Sequence, residues 1–215
     1  MSRFNFHTHH SQHADSVRSY DIHERISPEK YFSVGFHPWY IQMDTLEGDF
    51  MQLRNLIQHV NCIAIGECGL DRHQGPSLEI QRQVFIRQCE LAREVGKPVV
   101  VHVVRCYPEL WEIIKRFPDV VFALHGFSGN QRWADEFSSL GCYFSFGNLL
   151  RPGTPIAEVF KSIPSDKIFL ETDDFEESTL DVLYQNAATI LGVTESRLEI
   201  ILEGNWKRFF EKASS

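Results

Sequence analysis

Short runs of β-branched and aromatic residues alternate along the chain with longer stretches in which apolar side chains recur at helical spacing. The clearest strand candidates are residues 62–66, 98–104, 120–125, 142–146 and 167–171, with weaker ones at 3–7, 17–22 and 31–36, eight in all. Amphipathic helices are predicted over 49–59, 77–95, 107–116, 130–140, 156–162, 178–191 and 206–211. In the second of these, Ile80, Val84, Cys89, Leu91 and Val95 fall near one face and Arg82, Arg87, Glu90 and Arg93 on others. Gly96 and Pro98 then stop the helix. Strands followed by helices are the mark of βαβ units, so the expected class is α/β and the expected architecture a (β/α)8 TIM-type barrel. Periodicity alone also admits an open doubly wound sheet.

A chain of 215 residues has room for one such barrel, and no repeat, low-complexity tract or Pro/Gly-rich linker divides it. A single domain over residues 1–215 is expected. Of the residues, 43% are hydrophobic and 23% charged, which excludes a disordered chain. The net charge of -8 excludes a general electrostatic affinity for nucleic acid, because non-specific phosphate binding needs Lys and Arg to displace counterions. Any phosphate contact is therefore local, and bound cations are one source of local positive charge. The five cysteines show no C-x-x-C spacing, and the opening residues contain no signal-like apolar core. No stretch approaches a membrane span. These features give the expectation of a reduced, cytoplasmic protein with no membrane association and no obligate protein partner.

His7 and His9, spaced two apart at the end of the first strand candidate, place two imidazoles on one face together with Asn5. Taken alone, the pair is as well read as part of a chance cluster with His10 and His13. Four more ligand-type residues then stand at the ends of later strand candidates: Glu67, His102, His125 and Asp173. In a barrel those ends converge on one mouth. Ionisable groups that end apolar strands cost desolvation energy unless they are paired or coordinated. One common cause, a divalent-cation centre, accounts for all six. Individually, His102 could instead hydrogen-bond across strands, and Asp173 or Asp174 could cap the helix near Ser178. A carboxylate such as Glu67 can bridge two cations whose charge lowers the pKa of a water, with Asp173 placed to accept its proton.

The ordered motifs make the resemblance specific. Asn5-Phe6-His7-Thr8-His9, Gly35-Phe36-His37-Pro38, the I-G-E-x-G-L-D block at 65–71, P-V-x-x-H-x-x-R at 98–105, H-x-F-S-G at 125–129 and L-E-T-D at 170–173 follow one another along nearly the whole chain. In this the sequence resembles the TatD-related deoxyribonuclease family of the amidohydrolase superfamily. The resemblance implies a TIM-type barrel holding one to three divalent cations and acting on DNA phosphodiesters, as a 3'-5' exonuclease. It implies one metal site at His7, His9, Glu67 and Asp173 and a neighbour at Glu67, His102 and His125, with His37 and Arg105 near the substrate phosphate. Read from the residues alone, Arg105 is equally a surface salt-bridge partner, and Asn205 a helix N-cap before it is a site residue.

Two departures from the family pattern stand out. Asn5 replaces the usual Asp, and only 25 residues separate His9 from Gly35, which predicts a reduced element after the first strand. The leading expectation is thus a metal-dependent hydrolase of phosphodiester bonds, with DNA as substrate and Mg, Mn or Zn as cofactor. An amide, lactone or aminoacyl-ester hydrolase on the same centre is the first alternative. The lysine that commonly bridges the metals of carbonyl-directed amidohydrolases is absent, Glu67 standing in its place. The second alternative is a metal-binding scaffold without turnover.

Overall fold

The computed structural model describes residues 3–10, 15–26, 30–176 and 178–210. Eight parallel strands form one sheet in chain order: β1 (Asn5–Thr8), β2 (Ser16–Asp21), β3 (Phe32–Gly35), β4 (Cys62–Asp71), β5 (Val99–Val104), β6 (Phe122–Leu124), β7 (Tyr143–Phe146) and β8 (Ile168–Leu170). Just beyond β8, Asp173 pairs with Thr8 of β1. The Asp173 N–H donates to the His7 carbonyl at 3.0 Å and the His9 N–H to the Asp173 carbonyl at 3.1 Å, which closes the sheet into a barrel. The open-sheet alternative is thereby excluded.

Helices α1 (Leu46–Leu56), α2 (Leu78–Val95), α3 (Tyr107–Ile114), α4 (Gln131–Ser139) and α5 (Pro155–Ser162) each follow a strand from β3 onward. After β8 come α6 (Thr179–Leu191) and α7 (Glu195–Phe210). Among the described residues neither the β1–β2 nor the β2–β3 connection carries a helix. The reduction expected after the first strand therefore extends to the second. Helix α2 has the caps its sequence calls for: the Ser77 side chain accepts from the Ile80 N–H, and Gly96 ends the helix in the left-handed region at φ 67°.

Core packing follows the period of two. Val99 and Val101 of β5, Phe122 and Leu124 of β6, and Ile168 and Leu170 of β8 pack with the helices in one large cluster. Their neighbours Val100, Ala123 and Phe169 join a second cluster with Phe6, Tyr143 and, from α7, Trp206, Phe209 and Phe210. Phe6 stacks on Phe169 with ring centroids 4.3 Å apart and meets Phe209 edge-on at 5.4 Å. These α7 aromatics form the floor of the barrel.

Three expectations need correction. Strand β4 does not end at Gly66 but runs to Asp71, so Glu67 lies within it, where the pairing with β5 shifts register between Ile65 and Cys68. Its glycines mark close approach rather than strand ends: a Cβ on Gly66 would lie 2.4 Å from the Val100 carbonyl oxygen, and one on Gly69 2.0 Å from that of His102. The last helix begins at Glu195 rather than Trp206; Glu195, Arg197, Glu199 and Glu203 interrupt the apolar spacing of its buried Leu198 and Leu202. Glu211 lies outside the described residues, as does His13. Asn205 is neither a cap nor a mouth residue, because it sits fully buried inside α7. Its amide donates to the carbonyls of Ser165 and Ile168 at 2.9 and 2.8 Å and ties α7 to the start of β8.

Candidate metal centre

All six expected ligands meet at the C-terminal mouth of the barrel. Glu67, buried in β4, lies among the imidazoles and divides them between its two oxygens. Oε2 stands 3.4 Å from Nε2 of both His7 and His9. Asp173 Oδ1 stands 3.6 Å from the same two nitrogens. Oε1 faces the other way, 2.7 Å from His102 Nδ1 and 2.6 Å from His125 Nε2. His102 lies two positions beyond Val100 and His125 two beyond Ala123, so both continue the inward faces of their strands.

The donor set fits divalent cations. His7 is fully buried and neither ring nitrogen has a hydrogen-bond partner, a costly state for an imidazole unless a cation takes up the free lone pair. Ligand bonds of about 2.1 Å at tetrahedral angles separate ligand atoms by about 3.4 Å, which matches the spacing of His7, His9, Glu67 and Asp173. The group around Glu67 Oε1 is drawn to hydrogen-bond distance instead. Burial works against charge on both Glu67 and His125. The charge of His125 and the hydrogen bonds from His102, His125 and His37 nonetheless hold Glu67 well below the usual carboxylate range. Glu67 and Glu171 in turn raise His125 well above the ordinary imidazole value.

His37 lies 3.4 Å from Glu67 Oε1 through Nε2, while its Nδ1 accepts the Trp39 backbone N–H at 3.2 Å. The neutral ring must then carry its proton on Nε2, which makes it a donor toward the mouth rather than a ligand. Arg105 occupies the first position past β5, exposed, in the left-handed region at φ 52°, and forms no ion pair among the described residues. Beside it Arg72 pairs with Glu109 and donates to the Arg105 carbonyl. Asp173 spans the barrel seam rather than capping a helix, and α6 has Ser178 at its N-cap position.

Two carboxylates with clear structural roles had no role assigned from the sequence. Asp71 Oδ2 lies 3.1 Å from His102 Nε2 and accepts the Trp39 indole N–H at 2.6 Å, so it orients the His102 ring. Glu171, fully buried, accepts the Gly126 N–H at 2.6 Å and stands 3.3 Å from His125 Nδ1. Positions 67, 69 and 71 alternate onto one side of β4, and 169, 171 and 173 continue one face beyond β8; that parity was the available signal. Asn5, the departure from the family pattern, does not touch the ligand rings. Its side chain donates to Thr172 Oγ1 at 2.9 Å and accepts the Thr172 N–H at 3.0 Å, one residue before Asp173.

The model of the TatD-related DNase family matches residues 4–211. The chain belongs to that family. Among its relatives, the uncharacterized metal-dependent hydrolase YabD of Bacillus subtilis is 34% identical over 66% of this chain and 58% of its own length. The 3'-5' ssDNA/RNA exonuclease TatD of Edwardsiella piscicida is 31% identical over 59% of this chain and 51% of its own. The chain thus aligns with little more than half the length of these relatives. In structure, the TatD homolog YJJV of Escherichia coli superposes with a TM-score of 0.78 at 21% identity, covering 92% of this chain and 86% of that one. An uncharacterized amidohydrolase of Saccharomyces cerevisiae gives 0.78 at 15% identity, covering 91% and 88%. At such identities the likeness is one of fold.

Proposed function

We propose that this TatD-family chain is a metal-dependent phosphodiesterase acting on DNA, and that Glu67 joins two cation positions at the barrel mouth. The observation that carries the reading is the division of labour at that carboxylate, with Oε2 toward His7 and His9 and Oε1 toward His102 and His125. His7, His9, Glu67 and Asp173 would hold one cation and Glu67, His102 and His125 the other. Held there, divalent cations would supply Lewis acidity, which lowers the pKa of water and neutralises phosphate charge. Asp71 and Glu171 keep the rings of His102 and His125 turned toward Glu67. Asp173, half-buried at the seam, accepts the proton of the attacking water, and the His37 Nε2–H and the Arg105 guanidinium bind the phosphate oxygens. That a relative is named a 3'-5' ssDNA/RNA exonuclease supports single-stranded DNA as substrate and the same polarity here.

Imidazole-rich sites favour Zn or Mn, while the family likeness favours Mg. Five free, buried cysteines support a reducing, cytoplasmic setting. Among the described residues no helix is long and apolar enough to cross a membrane. The test is elemental analysis of wild type and Glu67→Ala, together with cleavage of a single-stranded oligonucleotide and of bis-p-nitrophenyl phosphate under Mg, Mn or Zn. Cleavage that needs metal and falls by at least about a hundredfold in Glu67→Ala is expected. Cleavage that persists after chelation would overturn the reading, and turnover confined to carbonyl esters or lactones would transfer the site to that chemistry.

A further inference from the structure

Beside the cation positions, on the β7–β8 side of the mouth, a cavity of about 190 Å3 shares Glu171 and Asp173 with the centre. Phe127, Phe146, Leu149 and Phe175 supply its apolar walls, with Asn148, Thr172, Gly126 and Gly147 between them. Leu149 is 60% exposed and Phe175 46%, a large exposure for side chains of this kind at the edge of a polar centre. The Asn148 carboxamide has no hydrogen-bond partner among the described residues. A cavity of roughly 150 Å3 is enough to take up benzene, so this cleft, which opens to solvent, has room for a planar ring.

We infer that this cavity is a base subsite, in which the nucleobase flanking the scissile phosphate packs against Phe175 and Leu149 while Asn148 bonds its polar edge. The inference rests on the phosphodiesterase reading above and deepens it. A cleft with aromatic walls and a carboxamide free to bond suits a nucleobase, which has apolar faces and a rim of donors and acceptors. A chain of net charge -8 also has little unspecific attraction for a polyanion, so contact with the base is a natural source of substrate affinity.

The test compares a short single-stranded oligonucleotide with otherwise identical ones carrying an abasic nucleotide at the 3' or 5' terminus. Cleavage and fluorescence-anisotropy binding are measured on metal-loaded wild type, Phe175→Ala and Asn148→Ala. Removing the base at one terminus is expected to raise KM or Kd of wild type about tenfold, and Phe175→Ala to erase that difference while kcat holds within about twofold. Asn148→Ala should change the order of preference among the four bases. Equal binding of intact and abasic strands by wild type would overturn the subsite and leave the phosphodiesterase standing. So would an equal loss on both strands in Phe175→Ala. No binding and no cleavage of any strand would overturn both readings.

Discussion

Asn5→Ala is expected to destabilise the protein by about 2–4 kcal/mol, although Asn5 touches no candidate ligand side chain. Asn5 is 0% and Thr172 1% exposed, so water cannot replace the bonds between them. Truncation strands the Thr172 N–H, at a desolvation cost of about 1–3 kcal/mol. It also removes the bond to the Thr172 hydroxyl, worth about 1 kcal/mol because that oxygen keeps Thr8 Oγ1 at 3.2 Å as a partner. With a urea m-value of about 2–3 kcal/mol/M, the unfolding midpoint falls by roughly 1 M. The loss should extend to the centre, since Thr172 precedes Asp173 and the seam holds His7, His9 and Asp173 in register. Metal retained after dialysis, measured by elemental analysis, should fall together with the midpoint. Asn5→Asp separates the effects: its carboxylate still accepts the Thr172 N–H but gains the hydroxyl proton only by drawing it from Thr8 Oγ1, so its midpoint should lie between wild type and Asn5→Ala. A midpoint within about 0.2 M of wild type for Asn5→Ala would refute this account of the seam.

Gly69→Ala would set a Cβ 2.0 Å from the His102 carbonyl at a backbone φ of 151°, and should cost about 2–6 kcal/mol from combined strain and overpacking; thermal melting and metal stoichiometry report it, and a wild-type Tm would contradict it. Because Glu67 and Glu171 raise His125 well above its ordinary pKa against the effect of burial, a cation binding there has to displace a proton held more firmly than on a free imidazole. Apparent affinity for the second cation should therefore climb about tenfold per pH unit until the raised pKa is passed. Calorimetry in two buffers of different ionisation enthalpy should detect that proton at pH 7. Burial pushes the Cys62 thiol up to about 11 and Cys142 to about 12, so a disulfide reagent at pH 8 should leave these two unmodified until denaturant is added. Their rapid modification in the native protein would refute the packing around them.

The five clear strands were legible because each carries an apolar run with β-branched or aromatic residues, the three weaker ones less so, and the six candidate ligand residues because they stand where such runs break into ionisable side chains. What could not be read came from relations between strands. The glycines of β4 look like terminators until β5 is seen to approach them, so the strand's length and the placement of Glu67 inside it were hidden. Asp71 and Glu171 fall inside the motif blocks at 65–71 and 170–173, but the roles they have here depend on His102 and His125 arriving from other strands. The tautomer of His37 is dictated by a backbone N–H two residues on, which no spacing rule reports.

The aromatic floor also governs when the molecule can assemble. Phe6 of β1 stacks on Phe169 and meets Phe209 edge-on, so the strand bearing His7 and His9 gains its full packing only when both β8 and α7 have docked. Contacts so distant in sequence slow folding, since the entropy of closing the loop is lost before the packing rewards it. A nascent barrel with β4 to β8 already formed would hold Glu67, His102 and His125 without the pair from β1. Capacity to hold both cations should therefore emerge late in refolding, together with burial of Trp206.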